Sequence, residues 1–155
     1  VQWSQLTASG YCWYNNDEST YKIPYGALYN GYAIVTGQLC PAGWHIPSRE
    51  ELLQLRDFLD DSLTAGGKLK EAGLAHWLTP NKGADNSTGF TALPAGFRYF
   101  EGSFSSVLSY AAFWAATDSV SNDAPFGGLY YGAARFVIDH RNKKQLYPVY
   151  FFWYN

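Results

Sequence analysis

Residues 48–61 read SREELLQLRDFLDD, with Leu52, Leu55, Phe58 and Leu59 recurring at helical spacing on one face and charges on the other. That is the pattern of an amphipathic helix. Ser48 followed by Glu51 makes a capping-box start, Pro47 fixes the entry of the chain, and Gly66 and Gly67 lie beyond the end. As the strongest apolar helical stripe in the chain, these residues are expected to be buried together with Trp44 and Trp114.

Working outward, residues 25–35 (YGALYNGYAIV) read as a second helix, with Leu28, Tyr29, Tyr32 and Val35 sharing a face despite Gly26 and Gly31. From Gly89 onward the character changes to short aromatic and β-branched runs broken by Gly, Pro, Asn and Asp. Residues 91–93, 96–100, 110–117, 130–138 and 149–154 read as strands. Helices early and strands late predict an α+β fold rather than alternating β-α-β units. With 155 residues, no low-complexity linker and no repeat of fixed period, residues 1–155 are expected to form one domain.

Composition excludes several function classes. Aromatic residues make up 19% and charged residues 15% of the chain, which excludes a disordered segment or a coiled coil. A formal net charge of −2 with no run among the 11 Lys and Arg leaves no footprint for nucleic acid and no polybasic membrane patch. The longest wholly apolar stretch, residues 110–116, is far shorter than the ~20 residues a membrane helix needs, so no membrane insertion is expected. The chain begins at Val1 and contains no Met, so a processed product or an excised piece of a longer protein is expected.

Catalytic motifs are sparse in this chain. His45, His76 and His140 are too far apart for a local metal motif, and there is no H-E-x-x-H, G-x-S-x-G or P-loop. His45 reads as a hydrogen-bonded core or turn residue. Cys12 and Cys40 have neither Zn-ligand nor C-x-x-C spacing. The loop 81–89 (NKGADNSTG) carries Asn81, Asp85, Asn86 and Ser87, oxygen ligands for a hard cation, but off the EF-hand spacing, and so reads as an Asx-rich turn. Asn86-Ser87-Thr88 is also a glycosylation sequon. No cofactor, no metal and no enzyme activity are expected.

The aromatic load needs an explanation. Six Trp, 13 Tyr and 10 Phe exceed what a core of this size hides, since buried Tyr and Trp need polar partners. Trp44, Trp77, Trp114 and Phe90 sit in apolar contexts and are assigned to the core. Phe126, Tyr130, Tyr131 and Tyr147 are interleaved with Gly, Ala, Asp, His and Arg, a mixture typical of paratopes and equally compatible with an ordinary polar strand-and-loop surface. Residues 115–142 contain no Lys, Glu, Gln, Trp or Met. Every residue there is encodable by a codon ending in a pyrimidine, which is what adenine-targeted diversification leaves.

Seven motifs occur in order: YCWYNND (11–17), YGALYN (25–30), LCPAGWHIPS (39–48), GGKLKEAG (66–73), His76-Trp77, GFTALPAGFR (89–98) and FWAAT (113–117). The string resembles the Fibrobacter succinogenes major paralogous domain over about residues 3–118. That family is common in surface and secreted proteins of Bacteroidetes, related bacteria and their phages. The resemblance implies a C-type-lectin-like fold, two helices (25–35 and 48–59) packed on a twisted antiparallel sheet whose late strands and loops form a ligand face. Some relatives are variable proteins of diversity-generating retroelements, which places a variable segment at about 125–142 here. Two features depart from the family: its closing G-F-S-V-R-C-V strand is replaced by YPVYFFWYN, removing the cysteine near Phe152, and a segment before Trp3 is missing.

The resemblance implies an extracellular ligand-binding domain, an adhesin or receptor-binding tip on a bacterial surface structure or phage virion, with a protein or glycan ligand on another cell or host surface. The contact residues expected are Phe126, Tyr130, Tyr131, Arg135, Val137, Asp139, His140 and Arg141. Cys12 and Cys40 are expected to pair, as thiols in an exported protein do. One alternative is a structural or assembly module whose aromatic strands pair with neighbouring subunits of a fibre or pilus. Another is an enzyme of the formylglycine-generating-enzyme-like branch.

Overall fold

A computed structural model of the chain describes residues 3–60, 62–117, 120–150 and 152–153. It is α+β, with the helical segments in the first half and most strand residues in the second. In chain order the elements are β1 (Tyr11–Cys12), α1 (Glu18–Tyr25), β2 (Leu28–Asn30), α2 (Gly31–Ile34), β3 (Trp44–His45), α3 (Arg49–Phe58) and α4 (Ala65–Leu69). They continue with β4 (Ala95–Arg98), β5 (Phe104–Val107), β6 (Tyr110–Trp114), β7 (Asp123–Tyr130), β8 (Phe136–Asn142), β9 (Leu146–Tyr147) and β10 (Phe152–Trp153). Among the described residues the strands form three antiparallel sheets, ordered β1-β2-β9-β4-β5, β10-β3 and β6-β7-β8.

Helix α3 begins where the capping box places it. The Ser48 hydroxyl accepts from the Glu51 N–H at 3.2 Å, and Glu51 Oε2 accepts from the Ser48 N–H at 2.7 Å. His45 joins this cap through Nε2, 2.7 Å from Glu51 Oε1. Leu52 and Leu59 are buried and Leu55 packs against the same cluster, but Phe58 is 85% exposed. Helix geometry explains the exception: at about 100° per residue Phe58 lies roughly 120° round from Leu52, outside the arc that meets the sheet.

The segment 25–35 is not one helix. Gly26 takes φ 76°, residues 28–30 pair with β1 and β9, and only residues 31–34 make a helical turn. Buried Asn30 enforces this. Its Oδ1 accepts from the Gly10 and Ala33 N–H groups, both at 3.0 Å, and its Nδ2 donates to the Ala8 carbonyl at 2.8 Å. Helix α1, capped by Asp17, instead leads into this segment and leaves helical geometry at Ile23.

Trp77 and Trp114 are buried, and Phe90 packs at the core's margin, but Trp44 is 39% exposed. A turn closed by the Trp44 N–H on the Pro41 carbonyl carries it onto the short β3–β10 ribbon at the surface. The strand expected at 91–93 reduces to one bridge, Lys70 to Ala92, and the one at 130–138 divides into the ends of β7 and β8 around a turn. Strands β1, β3, β5 and β9, residues 123–129 of β7 and residues 139–142 of β8 lie outside the expected strands. Part of the expected strand 149–154 is β10; its residues 151 and 154 lie outside those described.

Cys12 and Cys40 are not bonded to each other. Cys12 is buried with its Sγ 3.7 Å from Arg98 Nη1, whereas Cys40 packs with the cluster around Ile34, Ile46 and Trp114. Cys12 lies on β1 in one core cluster and Cys40 on the loop before β3 against another, so the expected pair does not form.

Candidate ligand-binding site

Strand alternation gives the β6-β7-β8 sheet two different faces. One carries Ala111, Phe113, Ala115, Leu129 and Phe136 into a core shared with Leu52, Leu59 and Leu69 of the helices. The other carries Ala112, Trp114, Ala124 and Phe126 against Tyr147 of β9, so that the three-stranded and five-stranded sheets share a second core. The Trp114 indole N–H donates to the Tyr29 carbonyl at 2.7 Å and fastens the two sheets together.

Where the two sheets part, a cleft of about 400 Å³ opens, lined by Phe97, Tyr99, Ser106, Tyr110, Tyr130, Arg141, Gln145 and Tyr147. Its size falls within the usual range for ligand pockets, about 300–1,000 Å³. The rings support one another: Phe97 meets Tyr99 edge-on at 4.8 Å, and Tyr147 stacks on Phe126 at 5.4 Å. Gly128 makes room for Tyr110, since a Cβ there would lie 2.3 Å from the Tyr110 hydroxyl. Burial pushes the Tyr110 hydroxyl up to about 12, and burial likewise drives Tyr147 upward, so both keep their protons.

Arg141 is held from three sides. Its guanidinium lies 5.0 Å from the Phe126 ring centroid, and Nη1 donates to Asp139 Oδ2 at 3.1 Å and to the His140 carbonyl at 2.8 Å. Asp139 Oδ1 accepts from the His140 N–H at 2.8 Å. That main-chain bond, followed by Arg141, lowers the Asp139 carboxyl below its ordinary value. The pair therefore satisfies both peptide groups of His140 on β8, which is the edge strand of its sheet.

The turn 131–135 between β7 and β8 is gripped through its backbone. Lys70, wholly buried, donates from Nζ to the carbonyls of Tyr130 at 3.2 Å, Ala133 at 3.0 Å and Lys82 at 3.0 Å, with the ammonium 5.3 Å from the Trp77 ring centroid. Burial lowers this ammonium to about 8. The Gly67 N–H donates to the Ala134 carbonyl at 2.9 Å and the Lys82 N–H to the Tyr131 carbonyl at 2.7 Å. Gly66 admits the turn: a Cβ there would lie 2.3 Å from the Arg135 oxygen. The GGKLKEAG motif thus holds peptide groups, and the grip does not depend on which side chains the turn carries.

Of the expected contact residues, Tyr130 and Arg141 line the cleft, with Asp139 and Val137 on the same face of the sheet. Arg135 is exposed on the turn. Tyr131 is half-buried, packing on the helix-side core and meeting Tyr130 at 4.6 Å. His140 is exposed on the opposite face of β8. Phe126 is fully buried and is not a contact residue, and Tyr147, read as a surface aromatic, is 2% exposed. Strand parity and the stack between them put both beneath the cleft rather than at its mouth. Phe97, Tyr99, Ser106, Tyr110 and Gln145 were missed, although the alternation of residues 110–114 already sets Tyr110 on the Trp114 face.

The loop 81–89 is tied to the fold through its polar side chains, with Asn81 Nδ2 donating to the Glu71 and Gly73 carbonyls at 2.9 and 2.7 Å. Asp85 Oδ1 accepts from the Ser87 N–H at 2.9 Å and Asn86 bonds twice to Thr91. Among the described residues, no three His, Cys, Asp or Glu side chains converge to hold a metal ion. No helix among them is long and apolar enough to cross a membrane.

The family model described as the Fibrobacter succinogenes major domain matches residues 2–150, and the chain belongs to that family. Comparison with curated proteins and with solved structures finds no match.

Proposed function

We propose that the chain is an extracellular ligand-binding domain on a C-type-lectin-like scaffold, an adhesin or receptor-binding tip of a bacterial surface or phage structure. Its contact surface is the open face of β7 and β8, the turn between them and the aromatic cleft beside it. One observation carries the reading. Tyr130 and Arg141 open onto a shaped cleft while every hydrogen bond that anchors the turn next to them goes to its main chain, an arrangement that fixes a binding surface and leaves its exposed side chains, Arg135 among them, free to differ. The absence of Lys, Glu, Gln, Trp and Met from residues 115–142 and the family's variable members support the same reading.

The assembly alternative needs an edge strand able to pair with a neighbouring subunit. On β8 the Asp139 and Arg141 side chains already occupy the peptide groups of His140, which disfavours pairing there. For the enzyme alternative, burial raises both cysteine thiols, the opposite of an activated nucleophile.

The test is to measure binding of the labelled domain to a panel of intact bacterial and animal cells, alongside its melting temperature. Tyr130→Ala and Arg135→Ala are expected to leave melting nearly unchanged and to weaken binding by more than about 1 kcal/mol. Unchanged cell binding combined with impaired folding or self-association would instead favour the assembly reading.

A further inference from the structure

We infer that the cleft between the two sheets is a subsite for one uncharged sugar unit of a glycan, a reading that rests on the proposed ligand-binding role of this face. The charge balance leads there. Among the described residues the one charged side chain lining the cleft is Arg141, and Asp139 neutralises it at 3.1 Å. An anion reaching the guanidinium also meets the Asp139 carboxylate, while a cation drawn to the rings meets Arg141. The site is matched to a neutral ligand.

The shape and polarity of the lining narrow the class further. Tyr99 and Tyr130 are 36% and 46% exposed, presenting flat ring surface for the C–H face of a pyranose to lie on. Around the rings stand hydroxyl and amide groups: Ser106, Gln145 and the protonated hydroxyls of Tyr110 and Tyr147. The Tyr147 hydroxyl donates to Gln145 Oε1 at 3.2 Å, leaving the amide nitrogen as a donor. Arg141 spends Nη1 on Asp139 and the His140 carbonyl, and its guanidinium is held 5.0 Å from the Phe126 ring centroid. Apolar ring faces bordered by neutral or charge-balanced donors and acceptors suit a polyol with one apolar side.

The same residues work against an extended peptide. A peptide strand laid along β8 beside the cleft needs main-chain partners, and those of His140 are already occupied by Asp139 and Arg141. A glycan makes no such demand.

An array of neutral oligosaccharides, sialylated and uronic-acid glycans, and peptides tests the inference, with affinities then measured in solution for the strongest binder of each class. Neutral glycans are expected to bind, with at least tenfold loss for both Tyr99→Ala and Arg141→Gln, an unchanged melting temperature, and no loss for the distant Phe58→Ala. Arg141→Gln keeps an amide donor, so it also guards against a failure of Tyr99→Ala to fold. Binding confined to acidic glycans, neutral-glycan binding indifferent to both substitutions, or no neutral glycan bound would each overturn the inference. A peptide ligand lost with Tyr130→Ala would overturn it while leaving the ligand-binding reading intact. No probe sensitive to any cleft or turn substitution, cells included, would overturn both.

Discussion

The guanidinium of Arg141 rests 5.0 Å above the ring of Phe126, which is itself fully buried against Tyr147. The aromatic residue is the floor of the site and the arginine its working surface, although the two read alike in sequence as members of one polar-aromatic segment. Phe126→Ala is therefore expected to lower stability by about 3–5 kcal/mol, the usual cost of a core phenylalanine. Arg141→Ala removes a partly exposed ion pair and is expected to cost no more than about 1 kcal/mol. Denaturant unfolding of the two variants separates the roles; equal losses would contradict the assignment.

Helix α3 gives a second contrast within one apolar stripe. Leu52→Ala is expected to cost about 2–5 kcal/mol because the side chain is completely enclosed. Phe58→Ala, at an 85% exposed position, is expected to change stability by less than about 0.5 kcal/mol. A large loss at Phe58 would mean that its ring is covered in solution.

These contrasts show how far the sequence carries. The start of α3 was legible because capping is local: Ser48 and Glu51 are three residues apart and satisfy each other. The reading of 25–35 failed because its outcome is set at a distance, by Gly10, Ala8 and β9 acting on Asn30 and Tyr29. The candidate site behaves likewise. Strand alternation puts Tyr130, Asp139 and Arg141 on one face, but the opposing wall of Phe97, Tyr99 and Tyr147 comes from another sheet, and no local pattern reports which sheets meet. Composition identified the excess of aromatic rings without telling Trp44, carried outward by a turn, from Trp114.

The glycine at the base of the β7–β8 turn gives a direct test of the backbone grip. Gly66→Ala places a methyl carbon 2.3 Å from the Arg135 oxygen, so the turn or α4 must shift. A loss of about 1–3 kcal/mol is expected, the range for overpacking a tight contact. Accelerated amide exchange should be concentrated in residues 130–136. A substitution tolerated without either effect would show that the turn is not anchored there.

Lys70 adds a pH dependence whose sign can be worked out. Burial lowers its ammonium from an ordinary 10.5 to about 8, so between those values the unfolded chain retains a proton that the folded chain has released. Stability contributed by this group is lowest below pH 8 and rises with pH across that window. Lys70→Met leaves no titrating group at this position, so the difference between the two proteins isolates Lys70. At pH 7 the substitution leaves the carbonyls of Lys82, Tyr130 and Ala133 without this donor, and a loss of about 1–3 kcal/mol is expected. From pH 7 to pH 10 the stability difference should then widen in favour of the unsubstituted protein. Denaturation curves for both proteins at the two pH values measure it; a difference that stays flat or narrows would show that Lys70 holds the turn without having its proton affinity lowered.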